Sequence, residues 1–147
     1  MVWMELSDEP CREDLQFLED RINEHNVWRT DRRDFRPLAL FVRDHQGSIV
    51  AGLHGFTWAG WLEIKFVWVR EDLRGQGHGR RLVEAAEAEA RARGCHRVWL
   101  DSYTFQAPTF YQRLGYEVFG VLHGDPAPND RVFLTKSLGV RLDAGAT

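Results

Sequence analysis

Three glycines within five positions, followed by two arginines, stand in the stretch "RGQGHGRRL" at residues 74–82, where a helix is predicted to begin. Glycine lets backbone amides approach a ligand closely, and the first amides of a helix have no partner inside that helix. Arginine at this end opposes the helix dipole, so the pair is unfavourable unless an anion is bound. The stretch therefore predicts a phosphate-binding turn. The alternative is a tight turn with solvated arginines.

Two nucleotide-binding motifs do not fit this turn. The P-loop requires a lysine followed by serine or threonine after its second glycine, and Arg80 and Arg81 stand there instead. The dinucleotide-binding fingerprint requires a further glycine downstream, and that position holds Arg80 or Leu82, according to which glycines are counted. The sequence therefore predicts a different phosphate-bearing ligand.

Upstream of the turn, apolar periodicity predicts a strand, a helix and a three-strand meander. Residues 2–6, "VWMEL", are a candidate first strand, and Ser7 is the predicted N-cap of a helix that runs to about residue 25. Residues 26–37 are a loop or a short helix. The stretches "LALFVRD", "IVAGLHGFTW" and "WLEIKFVWV" alternate with turns at Gly47 and Gly60, which predicts antiparallel strands.

Downstream of the turn, a helix from about Gly77 to Arg93 is followed by the strand "HRVWLDS". The stretch "QAPTFYQRLG" predicts a short helix, with Pro108 in its first turn and Gly115 at its end. Two strands follow, "YEVFGVL" and "RVFLTKSL", and then the tail "VRLDAGAT", which has no predicted structure. Strands interleaved with helices in this order predict one α/β domain with a mixed sheet.

Composition limits the classes of function. The net charge of -3 gives no global basic field for binding nucleic acid. No apolar run is long enough for a membrane helix, and the N-terminus does not resemble a signal peptide. Two cysteines and six histidines show no metal-binding spacing. We therefore expect a cytoplasmic protein without a metal, a nucleic-acid partner or a membrane partner.

The spacing of Arg74, Gly77 and Gly79 resembles the Arg-x-x-Gly-x-Gly loop of the GCN5-related N-acetyltransferase (GNAT) superfamily. The later segment "APTFYQRLGYEVFG" resembles a second motif of that superfamily. The resemblance implies an α/β GNAT fold: a mixed, mostly antiparallel central sheet of about six or seven strands flanked by helices. Strands 4 and 5 would be splayed to hold acetyl-CoA. It assigns residues 1–140 to one acetyltransferase domain and residues 141–147 to a tail.

The same resemblance implies where acetyl-CoA binds. Backbone amides of the glycine turn would hold the pyrophosphate, and the exposed backbone of the fourth predicted strand would pair with the pantetheine arm. Many relatives carry an asparagine where Thr104 stands, which makes Thr104 or Gln106 the side-chain donor to the pantetheine. The implied cofactor-binding residues are Val67, Trp68, Val69, Arg74, Gly75, Gln76, Gly77, His78, Gly79, Arg80, Thr104 and Gln106.

Two catalytic residues are implied as well. Tyr111 matches the tyrosine near the cofactor sulfur, which would donate a proton to the leaving thiolate or, alternatively, only pack there and donate a hydrogen bond. Glu63 resembles the glutamate that acts as base through water in histone-acetylating members. A solvated or salt-bridged strand glutamate is the alternative for Glu63. The strand alternation places Glu63 in phase with Val67 and Val69 unless a bulge intervenes.

The implied activity is acetyl transfer from acetyl-CoA to a primary amine, by direct attack of the amine on the thioester. A non-catalytic acyl-CoA-binding or sensing domain, and a relative that uses a longer acyl-CoA, are the alternatives. The sequence does not identify the acceptor amine, and it leaves a homodimer open.

Overall fold

The computed structural model describes residues 1–139, and the tail "VRLDAGAT" lies outside these residues. The chain divides into two units, of which the first is Met1–Arg33 and the second begins at Asp34. The first unit contains one helix, α1 (Arg12–Thr30). The second unit contains β1 (Arg36–Arg43), β2 (Ile49–Trp58), β3 (Trp61–Val69), a 3-10 turn (Glu71–Leu73), α2 (His78–Ala92), β4 (Arg97–Tyr103), α3 (Pro108–Arg113), β5 (Glu117–Leu122) and β6 (Arg131–Ser137).

The N-terminal unit differs from the sequence prediction in two places. Residues 2–6 form no strand, because a strand needs a partner for its backbone groups and none of the six described strands pairs with this segment. The helix begins after Cys11 rather than after Ser7. Pro10 explains the delay, since the residue before a proline is disfavoured in helical conformation. The helix ends at Thr30, five residues beyond the predicted end near residue 25.

The predicted meander is confirmed: β1 pairs with β2, and β2 pairs with β3, both antiparallel. Gly47 and Gly60 occupy the two turns with φ of +83° and +84°, a backbone conformation that favours glycine. The six strands lie in the order β1-β2-β3-β4-β6-β5, with β3 and β4 the parallel pair. This is the mixed, mostly antiparallel sheet that the sequence predicted.

Helix α2 covers one face of this sheet and forms the core with it. Its side chains Val83, Ala86 and Ala90 are fully buried against apolar residues of the central strands. The same helix carries Glu87, which is buried and accepts a hydrogen bond from Lys136 of β6 at 2.5 Å. Among residues 1–139, no helix combines the length and the apolar character needed to cross a bilayer.

A β-bulge interrupts β3 at Lys65. His54 pairs with Phe66 while the next residue of β2, Gly55, pairs with Ile64, so Lys65 is the extra residue. The two backbones approach so closely here that a Cβ atom on Gly55 would lie 2.2 Å from the carbonyl oxygen of Glu63. Glycine at position 55 is therefore required by this bulge. The bulge reverses the alternation of side chains along β3.

Candidate active site

A cleft of about 760 Å³ opens where β3 and β4 separate. The two strands pair only from Trp61–Arg97 to Ile64–Leu100, and beyond that point each follows its other neighbour. The cleft is lined by the end of β3, the glycine turn, the end of β4 and α3. The lining residues are Ile64, Lys65, Phe66, Val67, Trp68, Val69, Leu73, Arg74, Gly75, Gly77, His78, Gly79, Arg80, Leu100, Asp101, Ser102, Phe105, Gln106, Ala107, Phe110 and Tyr111.

The glycine turn forms one wall of the cleft. Gly77 is the N-cap of α2 with φ of +86°, and within residues 1–139 no side chain caps the first amides of this helix. The first turn carries no acidic residue. Gly79 packs against α3, since a Cβ atom there would lie 3.3 Å from the ring of Phe110. The turn therefore has free amides and positive charge that could bind an anion, and phosphate binding stays a prediction.

The arginines of the turn have local partners. Arg74 donates from Nε to the carbonyl of Val69 at 2.9 Å, which ties the glycine turn to the end of β3. Arg80 forms an exposed ion pair with Glu84, one helical turn further on, at 2.8 Å. Gln76 donates to the carbonyl of Asp72 and is not among the residues that line the cleft. Arg74 thus connects the glycine turn to the end of β3, in addition to placing a positive charge at the turn.

The end of β3 presents an open backbone edge to the cleft. Val67, Trp68 and Val69 pair with β2 along one edge, whereas their other edge faces the separation from β4. The side chains of Val67 and Val69 pack against the core cluster, and that of Trp68 is about half exposed. The backbone groups of these residues are therefore available to a ligand that lies along the strand.

Tyr111 lines the cleft from α3. Its ring lies edge-on to Phe110, at 5.0 Å between centroids, and edge-on to Tyr116, at 5.8 Å. Burial, and then the negative charge of Asp101, raise the pKa of Tyr111 to about 12. The hydroxyl therefore keeps its proton at every pH at which the protein would work.

Glu63 lies outside the cleft lining and out of phase with the valines. Because of the bulge at Lys65, its side chain alternates with the buried Leu62 and Ile64 and points away from the core into which Val67 and Val69 pack. Burial raises the pKa of Glu63, and the charge of Asp101 adds to this effect against that of Lys65. The carboxylate is half-buried and its pKa is raised, which is the environment of a potential base, although it does not line the cleft.

The two candidate donors for the pantetheine occupy different places. Gln106 lines the cleft, and its side-chain oxygen accepts a hydrogen bond from the amide of Tyr103 at 3.0 Å. Thr104 instead holds the loop before β6, because its hydroxyl accepts from the amide of Asp130 at 3.0 Å. The structure thus brings Gln106 to the cleft and leaves Thr104 outside its lining.

The sequence reasoning missed several residues of the cleft. Asp101 and Ser102 lie on β4 just beyond its last pairing with β3, and Phe105 follows the strand. Asp101 is the one carboxylate among the described residues that line the cleft. The sequence does mark Asp101 as a candidate site residue, since it is the single charged residue within the strand segment "VWLDSY". Its significance depends on the point at which β3 and β4 part, which alternation does not reveal.

Comparison with known proteins identifies relatives of the whole cleft-bearing region. Residues 3–116 match the Acetyltransferase (GNAT) family. The chain is 35% identical to the acetyltransferase Atu2258 of Agrobacterium fabrum, over 80% of this chain and 85% of that protein. It is 36% identical to the blasticidin-S acetyltransferase of Streptomyces morookaense, over 75% of this chain and 84% of that protein.

Solved structures show the same fold. A crystal structure from Agrobacterium tumefaciens superposes with a TM-score of 0.88 at 32% identity, covering 92% of this chain and 99% of that one. An acetyltransferase from Bacillus cereus superposes with a TM-score of 0.78 at 29% identity and with the same coverage. The sheet order and the separation of its strands are therefore part of a shared architecture.

The glycine turn gives a first prediction. Gly77→Glu places a carboxylate beside the amides that would hold the pyrophosphate, so we expect the Kd for acetyl-CoA to rise at least about 100-fold. Isothermal titration calorimetry measures this Kd. Gly47→Glu is the matched control, because Gly47 has nearly the same φ, also borders open space, and lies in the turn between β1 and β2. Equal affinities of the two variants would contradict the assignment.

Proposed function

This chain belongs to the acetyltransferase (GNAT) family and transfers an acetyl group from acetyl-CoA to an amine, and on that premise we propose which part of the cleft binds each part of acetyl-CoA. The glycine turn from Arg74 to Arg80 holds the pyrophosphate through its amides. The open edge of β3 at residues 67–69 holds the pantetheine arm, with Gln106 nearer to it than Thr104. The observation that carries this proposal is that the open edge, the free amides and Tyr111 all border one cleft.

The residues fit the co-substrate on physical grounds. Gly75 and Gly77 have φ of +76° and +86°, and a Cβ atom on either would meet open space, so the backbone itself forms the wall there. The second edge of β3 at residues 67–69 has no partner strand, so its amides and carbonyls can pair with a ligand in place of water. A ligand with amide groups along its length can form these hydrogen bonds.

The reaction requires that the amine be held against the thioester and that its nitrogen lose a proton. The lone pair of the neutral amine forms a C–N bond with the thioester carbonyl carbon, the C–S bond breaks with its electrons on sulfur, and the nitrogen gives up one proton. Holding the amine against the thioester supplies several kcal/mol by removing the entropy cost of their encounter. The chain's own residues then act on the charges that develop on sulfur and nitrogen.

Tyr111 acts on the sulfur. A phenol with a pKa of about 12 would lose roughly 5 kcal/mol in giving its proton completely to a thiolate whose conjugate acid titrates near 8.5. A hydrogen bond from the hydroxyl to the developing thiolate carries no such penalty. We infer that Tyr111 stabilises the leaving sulfur as a hydrogen-bond donor, which is the second of the two roles predicted from the sequence.

Glu63 acts on the acceptor's proton. An alkylammonium titrates far above neutrality, so the proton must be removed before the nitrogen can attack. Glu63 does not line the cleft, and a water molecule between it and the amine would connect the two. Its raised pKa makes it a better proton acceptor than an ordinary glutamate. This role stays a prediction, as do the cytoplasmic location and the homodimer.

An acceptor screen tests the proposed function. Purified protein with acetyl-CoA and a panel of primary amines, amino acids, aminoglycosides, nucleoside antibiotics and peptide N-termini should release CoA with at least one class. The release is followed with a thiol reagent, and mass spectrometry should find the acceptor heavier by one acetyl group. Binding of acetyl-CoA without CoA release from any member would contradict the activity and favour a binding domain.

Tyr111→Phe should lower kcat by about 10- to 100-fold while leaving the KM for acetyl-CoA within about threefold, because the hydrogen bond to sulfur forms as the thiolate develops. The wild-type kcat should stay level from pH 8 to pH 10, where an ordinary tyrosine would begin to ionise. Tyr103→Phe is the control, since Tyr103 does not line the cleft. If Tyr111→Phe kept the kcat of the wild type, Tyr111 would have only a packing role.

Glu63→Gln should remove the acidic limb of the kcat profile at saturating amine, because kcat reports groups that titrate in the bound complex. That limb should lie above the ordinary pKa of a glutamate, since the pKa of Glu63 is raised and the carboxylate loses its base function as the pH falls through it. Glu117→Gln, at an exposed position on β5, is the matched control. An acidic limb that persists unchanged in Glu63→Gln would exclude Glu63 as the base.

A further inference from the structure

Asp101 lies at the point where the sheet opens. Leu100 is the last residue of β4 that pairs with β3, and Asp101 comes next, still paired with Phe133 of β6 on its other side. It is the one carboxylate among the described residues that line the cleft. The cofactor end of the same cleft is lined by Arg74, His78 and Arg80. The negative charge is thus found at the opposite end from the predicted phosphate site.

One oxygen of Asp101 is held in place, and the other is available. Oδ2 accepts a hydrogen bond from Nε of Arg131 at 2.9 Å. Within residues 1–139, Oδ1 has no hydrogen-bond partner, and the side chain is 26% exposed. The guanidinium of Arg131 lies over the rings of Tyr103 and Phe133, at 5.6 and 5.2 Å from their centroids. Arg131 therefore fixes the carboxylate while its second oxygen can accept a hydrogen bond from a ligand.

The charges around Asp101 connect it to both residues that handle protons in the proposed function. Glu63 on β3, Arg131 on β6 and Tyr111 on α3 each interact electrostatically with it, and Lys65 of β3 acts on Glu63. Its negative charge raises the pKa of Glu63 and that of Tyr111. Asp101 is two residues beyond Trp99, which pairs with Glu63, so alternation places the side chains of Asp101 and Glu63 on the same face of the sheet. Asp101 and Tyr111 line the same cleft.

We propose that Asp101 binds the amino group of the acceptor through Oδ1, which rests on the proposed function. The acceptor arrives as an ammonium ion and donates a hydrogen bond to this carboxylate. One proton then passes through water to Glu63 and from there to bulk solvent, and the neutral nitrogen stays hydrogen-bonded to Asp101. As its lone pair forms the C–N bond, the positive charge that develops on nitrogen faces the carboxylate. The nitrogen then gives its second proton through water to Glu63, and the C–S bond breaks with its electron pair on the sulfur to which Tyr111 donates a hydrogen bond.

This arrangement selects a class of acceptor. A basic aliphatic amine is charged in solution and gains from the carboxylate both on binding and during attack. A weakly basic aromatic amine is neutral at the same pH and carries no charge for Asp101 to attract. We therefore expect aliphatic primary amines to be the substrates. Asp101 is then a catalytic residue that also determines specificity.

The experiment compares wild type, Asp101→Asn and Asp125→Asn with benzylamine, 1,4-diaminobutane and aniline as probes. Asp125→Asn is the matched control, because it removes one negative charge near Arg131 from a residue that does not line the cleft. Calorimetry in the presence of CoA gives the Kd of each amine. Steady-state CoA release gives KM and kcat.

In Asp101→Asn we expect Kd and KM for the two aliphatic amines to rise about 10- to 100-fold, the loss typical of a hydrogen bond to a charged group. The KM for acetyl-CoA should change less than about twofold, and the constants for aniline should change little. The acidic limb of kcat should move to lower pH, because removing the negative charge lowers the pKa of Glu63. Asp125→Asn should resemble wild type in all of these measurements.

Equal affinity of wild type and Asp101→Asn for benzylamine and 1,4-diaminobutane would overturn the proposal, and so would a wild type that binds neither amine. Equal losses for aniline and benzylamine would indicate general damage to the cleft and would overturn it too. If the amines bind through Asp101 but no acetyl transfer follows, the proposed function fails while the assignment of Asp101 stands.

Discussion

The pairing of β3 with β4 ends at Ile64 and Leu100, and the chemistry of the cleft depends on this early end. Beyond it, β4 continues along β6 and β3 continues along β2, so each strand keeps one edge whose backbone groups are hydrogen-bonded. The other edges face the cleft, where only water or a ligand can satisfy them. Parallel pairing over four residues therefore gives the sheet its continuity, and its termination creates the cleft.

The glycine turn completes this cleft because it follows β3 after the short 3-10 turn Glu71–Leu73. Arg74 bridges back to the carbonyl of Val69, and Gly79 lets the ring of Phe110 pack against the first turn of α2. The strand edge, the free amides of α2 and the tyrosine of α3 are thereby held in one rigid arrangement. Positive charge at the turn and negative charge at Asp101 then give the two ends of the cleft opposite polarity, which suits a phosphate at one end and an amine at the other.

The sequence predicted the local parts of this arrangement and not the contacts between distant segments. The turns at Gly47 and Gly60, the N-terminus of α2 at Gly77 and the proline at the start of α3 follow from conformational preferences of single residues. The strand predicted at residues 2–6 was wrong because apolar alternation does not show whether a partner strand exists. The helix start predicted at Ser7 was wrong because Pro10 disfavours helical conformation in the residue before it, and the helix begins only after Cys11.

The position of Glu63 shows how a single glycine decides a site that alternation cannot. Counting along "WLEIKFVWV" puts Glu63 on the same face as Val67 and Val69, and the bulge at Lys65 reverses that result. The sequence does carry the cause, since Gly55 on the neighbouring strand has no Cβ atom and lets the carbonyl of Glu63 approach. Gly55 is therefore the residue of β2 that permits the bulge, whereas Gly52 on the same strand pairs with Trp68 in regular register. Because the bulge sends the valine side chains into the core and Glu63 to the other face, the open backbone edge of β3 borders the cleft while the Glu63 carboxylate lies on the face away from the core.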